Sequence, residues 1–137
     1  MITIENEIEI GSSVKDVYSL ISGKNRGSIG FLSEDWPGLK IEDIKGQDYK
    51  WKYTVLVLKF SGTGTFNPNP EDLTVISENQ GSFKSTTTWQ LEPSVKGTLL
   101  KFRIDYEDSL MIRAAILVNK RRAGKLLENI KKRLERG

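Results

Sequence analysis

The chain has 137 residues, of which 37% are hydrophobic and 28% are charged, a composition that is typical of one globular domain and excludes a disordered chain. It contains no cysteine and no histidine, which excludes disulfides, zinc sites of the Cys/His kind, Ser-His-Asp triads and histidine general bases. The formal net charge of +3 is too small to indicate a nucleic-acid partner by itself.

The N-terminal segment predicts a strand followed by a short helix. Isoleucines alternate with polar residues from Ile2 to Ile10, which is the period of a half-buried strand. Residues 13–16 match the capping pattern of a helix start, and apolar residues then follow at helical spacing as far as Ile21. Three glycines break the pattern afterwards and predict a loop or second short helix that acts as a lid: Gly23, Gly27 and Gly30.

Five further strands are predicted after the turn signal at Trp36-Pro37-Gly38. Their predicted ranges are 39–46, 49–62, 73–78, 82–91 and 98–106. Leu56 interrupts the alternation of the second range, so we expect a bulge there or burial of both faces. Tight turns join the ranges, so the sheet is predicted to be an antiparallel meander.

The C-terminal residues predict one long helix. From Ser109 to about Arg136 the apolar residues recur at helical period, which gives a helix about 40 Å long. The sheet must cover its apolar face, and this helix has the matching stripe. A curved sheet contacts a straight helix best at its rims, so an apolar cavity is expected between them. We find no internal repeat or linker and expect one domain over residues 1–137.

Twelve residues are candidates for the lining of this cavity. Ser85 and Thr87 share a strand face with aromatic residues, and Asn119 lies on the apolar stripe of the helix, where its amide needs a hydrogen-bond partner. The complete set is Trp36, Trp51, Tyr53, Phe83, Ser85, Thr87, Trp89, Phe102, Tyr106, Ile112, Ile116 and Asn119. The aromatic rings either line a pocket or fill a solid core, and the sequence leaves both interpretations open.

This order of elements resembles the helix-grip superfamily (SRPBCC, or START-like), which includes START lipid-transfer domains, the birch pollen allergen and the polyketide cyclases. Residues 2–21, 89–102 and 110–134 carry the resemblance. Within the superfamily, Phe-Ser-Gly-Thr-Gly at 60–64 is similar to the carbon monoxide dehydrogenase G-like branch. The resemblance implies an α+β helix-grip fold: a curved antiparallel sheet of six or seven strands around a long C-terminal helix, with one or two short helices after the first strand. It also implies a hydrophobic ligand pocket, without implying one reaction.

The predicted function is the binding or carriage of a small hydrophobic molecule, with no metal and no organic cofactor. Two alternatives stay open. One is an accessory protein that binds a protein partner and helps to assemble a larger enzyme. The other is a cyclase- or hydrolase-type enzyme that uses Tyr53 or Tyr106, although the lack of histidine and cysteine favours a protein that is not an enzyme. The oligomeric state is left open.

Location and charged partners are predicted from the helix and the N-terminus. Eight basic residues between Lys120 and Arg136 accompany only Glu128 and Glu135, a pattern that favours a solvated face suited to the helix dipole over a nucleic-acid or membrane site. No signal peptide is recognisable, and no apolar run approaches the ~20 residues that span a bilayer. We therefore expect no nucleic-acid partner, no stable membrane insertion and a cytoplasmic location.

Overall fold

The computed structural model describes residues 1–23 and 35–136, which form seven strands and two helices. The elements are β1 Ile2–Ile10, α1 Val14–Ser22, β2 Leu39–Lys45, β3 Asp48–Val55, β4 Leu58–Asn69, β5 Thr74–Gly81, β6 Ser85–Pro93, β7 Thr98–Tyr106 and α2 Leu110–Arg136. The predicted lid, with Gly27 and Gly30, lies outside the described residues.

All seven strands belong to one curved antiparallel sheet in the order β1-β7-β6-β5-β4-β3-β2. Only the β1–β7 pairing joins strands that are distant in sequence, so the rest of the sheet is the predicted meander. The C-terminal part of the long helix α2 lies against the end of β1. Lys131 Nζ donates to the Glu9 carbonyl at 2.9 Å, and the Gly11 amide donates to Glu135 at 2.8 Å. The predicted α+β architecture, with one short helix after the first strand, is confirmed.

Side-chain caps begin both helices where the sequence indicates. The Ser13 hydroxyl accepts from the Asp16 amide at 3.2 Å, and the Ser109 hydroxyl accepts from the Ile112 amide at 3.1 Å. Each bond satisfies one of the backbone donors that a helix start leaves free. In α2 the buried positions recur at helical spacing and form the stripe that faces the sheet: Ile112, Ala115, Asn119, Ala123, Leu126, Leu127 and Ile130.

Both predictions for Leu56, a bulge or burial of both faces, are wrong, because the chain makes a hairpin turn there. Val55 pairs with Leu58, and the two residues between them connect β3 to β4. Leu56 has a φ of 56° and, like Val57, is exposed. The turn contains none of the glycine, proline, asparagine or aspartate residues that usually mark such turns. Its apolar sequence therefore looks like a continuous strand.

One face of every strand packs inward, and aromatic rings fill much of the space next to it. Trp89 is fully buried, with its ring centroid 4.6 Å from that of Phe102. Phe102 also lies 6.3 Å from the Trp36 ring. Within the described part of the chain, none of the helices is long and apolar enough to cross a membrane.

Candidate functional site

An apolar hollow of about 70 Å³ opens on the inward face of the sheet. We call it the hollow, and its lining is Trp36, Leu39, Ile41, Tyr49, Trp51, Tyr53, Asn79, Phe83, Ser85, Thr87, Ile104 and Tyr106. Among the described residues, this lining comes from the strands, the β5–β6 turn and Trp36 rather than from α2. The cavity was predicted between the sheet and α2, whereas no described α2 residue lines the hollow, and buried rings and the α2 stripe pack together in one core.

The structure brings seven of the twelve candidate residues together around the hollow: Trp36, Trp51, Tyr53, Phe83, Ser85, Thr87 and Tyr106. Trp89 and Phe102 pack against each other in the filled core, and the indole nitrogen of Trp89 has no hydrogen-bond partner among the described residues. On α2, Ile112 is buried and Ile116 is half-buried. Asn119 reaches two of the lining tyrosines, as described below.

Five lining residues were missed by the sequence reasoning: Leu39, Ile41, Tyr49, Asn79 and Ile104. A signal was present for two of them. Tyr49 has the same strand parity as Trp51, and Ile104 alternates in step with Tyr106. Asn79 falls between the predicted strands 73–78 and 82–91, whereas it lies in β5 and its side chain belongs to the lining.

A larger surface groove of about 1110 Å³ adjoins the hollow at the end of the sheet. This outer groove shares Tyr49, Asn79 and Ser85 with the lining of the hollow. Charged side chains of both signs surround it, among them Lys45, Lys50, Glu78, Lys84, Asp105 and Asp108. The two spaces differ in polarity, and the three shared residues lie at the boundary between them.

Those three residues belong to one cross-strand row, which we call the rim row: Tyr49, Gly64, Asn79, Ser85 and Tyr106. The Tyr49 hydroxyl donates to Asn79 Oδ1 at 2.5 Å, and Asn79 Nδ2 donates to the Ser85 hydroxyl at 3.3 Å. Tyr49 crosses β4 to reach Asn79. A Cβ at Gly64 would lie 2.5 Å from both Asn79 Oδ1 and Tyr49 Cζ, so only glycine leaves room for this bond.

Gly62 serves the neighbouring ring in the same way. The Trp51 indole lies over Gly62 and donates to the Thr63 carbonyl at 3.0 Å. A Cβ at Gly62 would lie 2.7 Å from Trp51 Cζ2 and would overlap the Gln80 carbonyl oxygen. The two glycines of the Gly-Thr-Gly run therefore leave the space in which the Trp51 and Tyr49 rings pack over β4.

A second hydrogen-bond network connects the hollow to α2. Trp36 Nε1 and Arg122 donate to the Tyr53 hydroxyl at 2.9 and 3.0 Å. The Tyr53 hydroxyl in turn donates to Asn119 Oδ1, and Asn119 Nδ2 donates to the Tyr106 hydroxyl at 3.3 Å. Asn119 is only 1% exposed, and its amide is hydrogen-bonded at both ends, to the Tyr53 and Tyr106 hydroxyls.

Burial keeps the phenols of the hollow protonated. It raises the pKa of Tyr49 to about 12 and also raises the pKa of Tyr106 and of Tyr53. For Tyr53, the hydrogen bonds from Trp36 and Arg122 lower the pKa and oppose the effect of burial in part. These hydroxyls are therefore hydrogen-bonding groups at neutral pH, and each can both donate and accept.

The raised pKa values predict a loss of stability in alkali. Between the ordinary tyrosine pKa of 10.0 and the higher folded values, the folded chain binds more protons than the unfolded chain. The contribution of these groups is complete below pH 10.0 and is lost as the pH rises through about 12. We expect the free energy of urea unfolding to decrease steadily over this pH range. The decrease should be smaller in a Tyr49→Phe variant, because that variant lacks one of the phenols with a raised pKa. Equal slopes for the two proteins would contradict the assignment.

Comparison with known proteins finds this architecture among solved structures but not among family models or curated sequences. No family model matches the chain, and no curated protein matches its sequence. Among solved structures, TTHA0849 from Thermus thermophilus is 18% identical with a TM-score of 0.73, and the match covers 97% of each chain. The norcoclaurine synthase of Thalictrum flavum is 17% identical with a TM-score of 0.68, covering 96% of this chain and 84% of that one.

The Zhui aromatase/cyclase from Streptomyces sp. R1128 is 9% identical with a TM-score of 0.68, covering 98% of this chain and 94% of that one. The chain has the helix-grip fold. At these identities the likeness establishes the helix-grip fold alone, and activities do not transfer with it. The similarity to the carbon monoxide dehydrogenase G-like branch stays a prediction.

Proposed function

We propose that this helix-grip domain binds a small, mainly apolar molecule that carries a flat ring, held in the hollow. The observation that supports the proposal is the wall itself. Rings of Trp36, Trp51, Tyr53 and Phe83 face one space, and no charged side chain occurs among the described lining residues. Such a surface favours apolar ligands, each Å² of buried apolar area contributing about 25 cal/mol.

The size of the hollow limits the ligand. Its 70 Å³ is well below the ~300–1,000 Å³ of pockets that enclose drug-sized ligands. A ligand of one or two rings fits the proposal best, with any larger or polar part extending into the outer groove. Long acyl chains fit it poorly.

Phe83 is the side chain that we propose makes room for the ligand. It is half-buried and lies in the turn between β5 and β6, outside both strands. Its ring contacts those of Trp51, Phe60 and Tyr106, at centroid distances of 4.9, 5.1 and 5.6 Å. Because no ladder hydrogen bond depends on this ring, a rotation of Phe83 enlarges the hollow without breaking the sheet.

The two alternatives from the sequence stay predictions. An enzyme that uses Tyr53 or Tyr106 as a base needs a phenol that ionises near neutral pH, whereas the pKa of both groups is raised by burial. An accessory role needs a surface for a protein partner. Leu110 and Leu117, two turns apart on α2 and 84% and 74% exposed, are the apolar side chains that such a surface would use.

Filling the hollow tests the proposal. Ile41 lines the hollow from the edge strand β2, so Ile41→Trp is expected to occupy it with little strain on the rest of the core. We expect the affinity for indane, a bicyclic hydrocarbon, to fall at least about tenfold as measured by tryptophan fluorescence or NMR titration.

Ile44→Trp is the matched control for this experiment. Ile44 lies on the same strand, is exposed and does not line the hollow. Its replacement is expected to leave indane binding unchanged. If the wild-type protein shows no saturable binding of indane, or if the two variants bind it equally well, the proposed function is wrong.

A further inference from the structure

The hydrogen bonds around Tyr53 have only one possible direction. The indole of Trp36 and the guanidinium of Arg122 have protons to give and no lone pair to offer, so the Tyr53 oxygen accepts from both. The Tyr53 proton must then go to Asn119, which identifies the atom that faces Tyr53 as the amide oxygen. The amide nitrogen of Asn119 consequently faces Tyr106.

The direction of this chain of bonds ends at the Tyr106 hydroxyl. Its oxygen accepts from Asn119 Nδ2 at 3.3 Å, so its own proton is directed elsewhere. Among the described residues no acceptor receives that proton, although Tyr106 is only 4% exposed and lines the hollow. A buried donor without an acceptor costs about 1–3 kcal/mol, so the arrangement is costly unless something completes it.

A second donor of the same kind lies opposite Tyr106 in the sheet. Ser85 pairs with Tyr106 across β6 and β7, and its hydroxyl accepts from Asn79 Nδ2 at 3.3 Å. Its proton also finds no acceptor among the residues in the described ranges. Ser85 lines both the hollow and the outer groove, so the rim row holds two hydroxyl donors that have no acceptor in the described part of the chain.

We propose that the ligand of the hollow is a ketone-type molecule whose neutral carbonyl oxygen accepts a hydrogen bond from Tyr106, assisted by Ser85. This inference rests on the proposed function and adds the chemistry of the ligand to it. A neutral acceptor is favoured over a carboxylate because the described lining holds no cation, and the guanidinium of Arg122 is engaged by Tyr53 and the Thr54 carbonyl. The raised pKa of Tyr106 agrees with a donor that stays protonated.

The test compares 1-indanone with indane, two probes of nearly the same shape that differ by one carbonyl oxygen. We measure the ratio of their affinities for the wild-type protein and for Tyr106→Phe. Removal of the phenol oxygen is expected to lower the affinity for 1-indanone relative to that for indane about 3- to 10-fold, the range of one neutral hydrogen bond.

Tyr18→Phe is the matched control. Tyr18 is also buried, but its hydroxyl donates to the Thr74 carbonyl at 3.0 Å and does not line the hollow. This variant loses one phenol hydrogen bond, as Tyr106→Phe does, and the preference for 1-indanone is expected to stay at the wild-type value.

The carbonyl stretching frequency of bound 1-indanone gives a second measurement that does not need a variant. We expect it to lie below its value in a hydrocarbon solvent, because a donated hydrogen bond weakens the C=O bond. If the frequency equals its value in the hydrocarbon solvent, and Tyr106→Phe keeps the wild-type preference for 1-indanone over indane, the carbonyl assignment is overturned and the proposed function stays intact. Absence of binding for both probes would instead overturn the proposed function, and this inference with it.

Discussion

Replacing Gly62 with alanine is expected to lower the free energy of unfolding by about 3 kcal/mol or more. The new methyl group would overlap the Gln80 carbonyl of β5 and lie 2.7 Å from Trp51 Cζ2. The first of these atoms belongs to the backbone, so relief requires movement of β4 against β5 and weakens their ladder. The second belongs to a lining ring, so the variant is also expected to bind indane more weakly.

Gly124→Ala is the control for this substitution. Gly124 lies inside α2, and the nearest atom to an added Cβ is Asn6 Nδ2 at 3.7 Å, an ordinary contact. Because alanine favours a helix interior over glycine, we expect this variant to be about 0.5–1 kcal/mol more stable. Urea unfolding followed by circular dichroism measures the free energy of unfolding of both variants. We expect a single transition if residues 1–137 form the one domain that we propose. A Gly62→Ala protein as stable as wild type would contradict the close approach of β4 to β5.

Asn119→Ala is expected to cost about 2–6 kcal/mol of stability. The change removes the acceptor for the Tyr53 proton and the donor to the Tyr106 oxygen, so two buried phenols lose a partner at about 1–3 kcal/mol each. Both hydrogen bonds join α2 to the sheet, so their loss also weakens the packing of the helix. The measurement is again the free energy of urea unfolding.

Two comparisons make the Asn119 result specific. Asn67→Ala removes an exposed amide whose side-chain hydrogen bond, to Thr65 at 3.4 Å, is long, and we expect a change below about 0.5 kcal/mol. Combining Asn119→Ala with Tyr106→Phe is expected to cost less than the sum of the two single changes, because the variants share one hydrogen bond. Additive costs would show that the two residues do not interact in solution.

Local patterns were sufficient where neighbouring residues decide the conformation. Ser13 caps α1 as the capping pattern predicted, and Ser109 caps α2 where the helical period was predicted to begin, because an N-cap bond reaches only three residues along the chain. The alternation in β7 correctly predicts which side chains face inward, since period two is a property of the strand itself. The turn at Leu56 was missed because its residues carry no turn signal and only pairing with β4 decides it.

The site was harder to derive because its geometry depends on pairing register. Asn119 was recognisable as an amide on an apolar stripe, but its partners Tyr53 and Tyr106 are 66 and 13 residues away in sequence. Asn79 and Tyr49 meet only because Gly64 of the intervening strand has no side chain. No spacing rule along one chain predicts a contact that passes over a third strand.

The first strand and the short helix after it, the alternation of β7 and the apolar stripe of α2 follow from the amino-acid sequence, since they depend on residues that are close along the chain. The division of residues 49–62 into β3 and β4 does not, because it depends on strand pairing. The tertiary structure alone decided that the interior beside α2 is filled and that the hollow lies next to the rim row. That outcome depends on how large rings from distant strands share one volume, which is a property of their packing together and of no single segment.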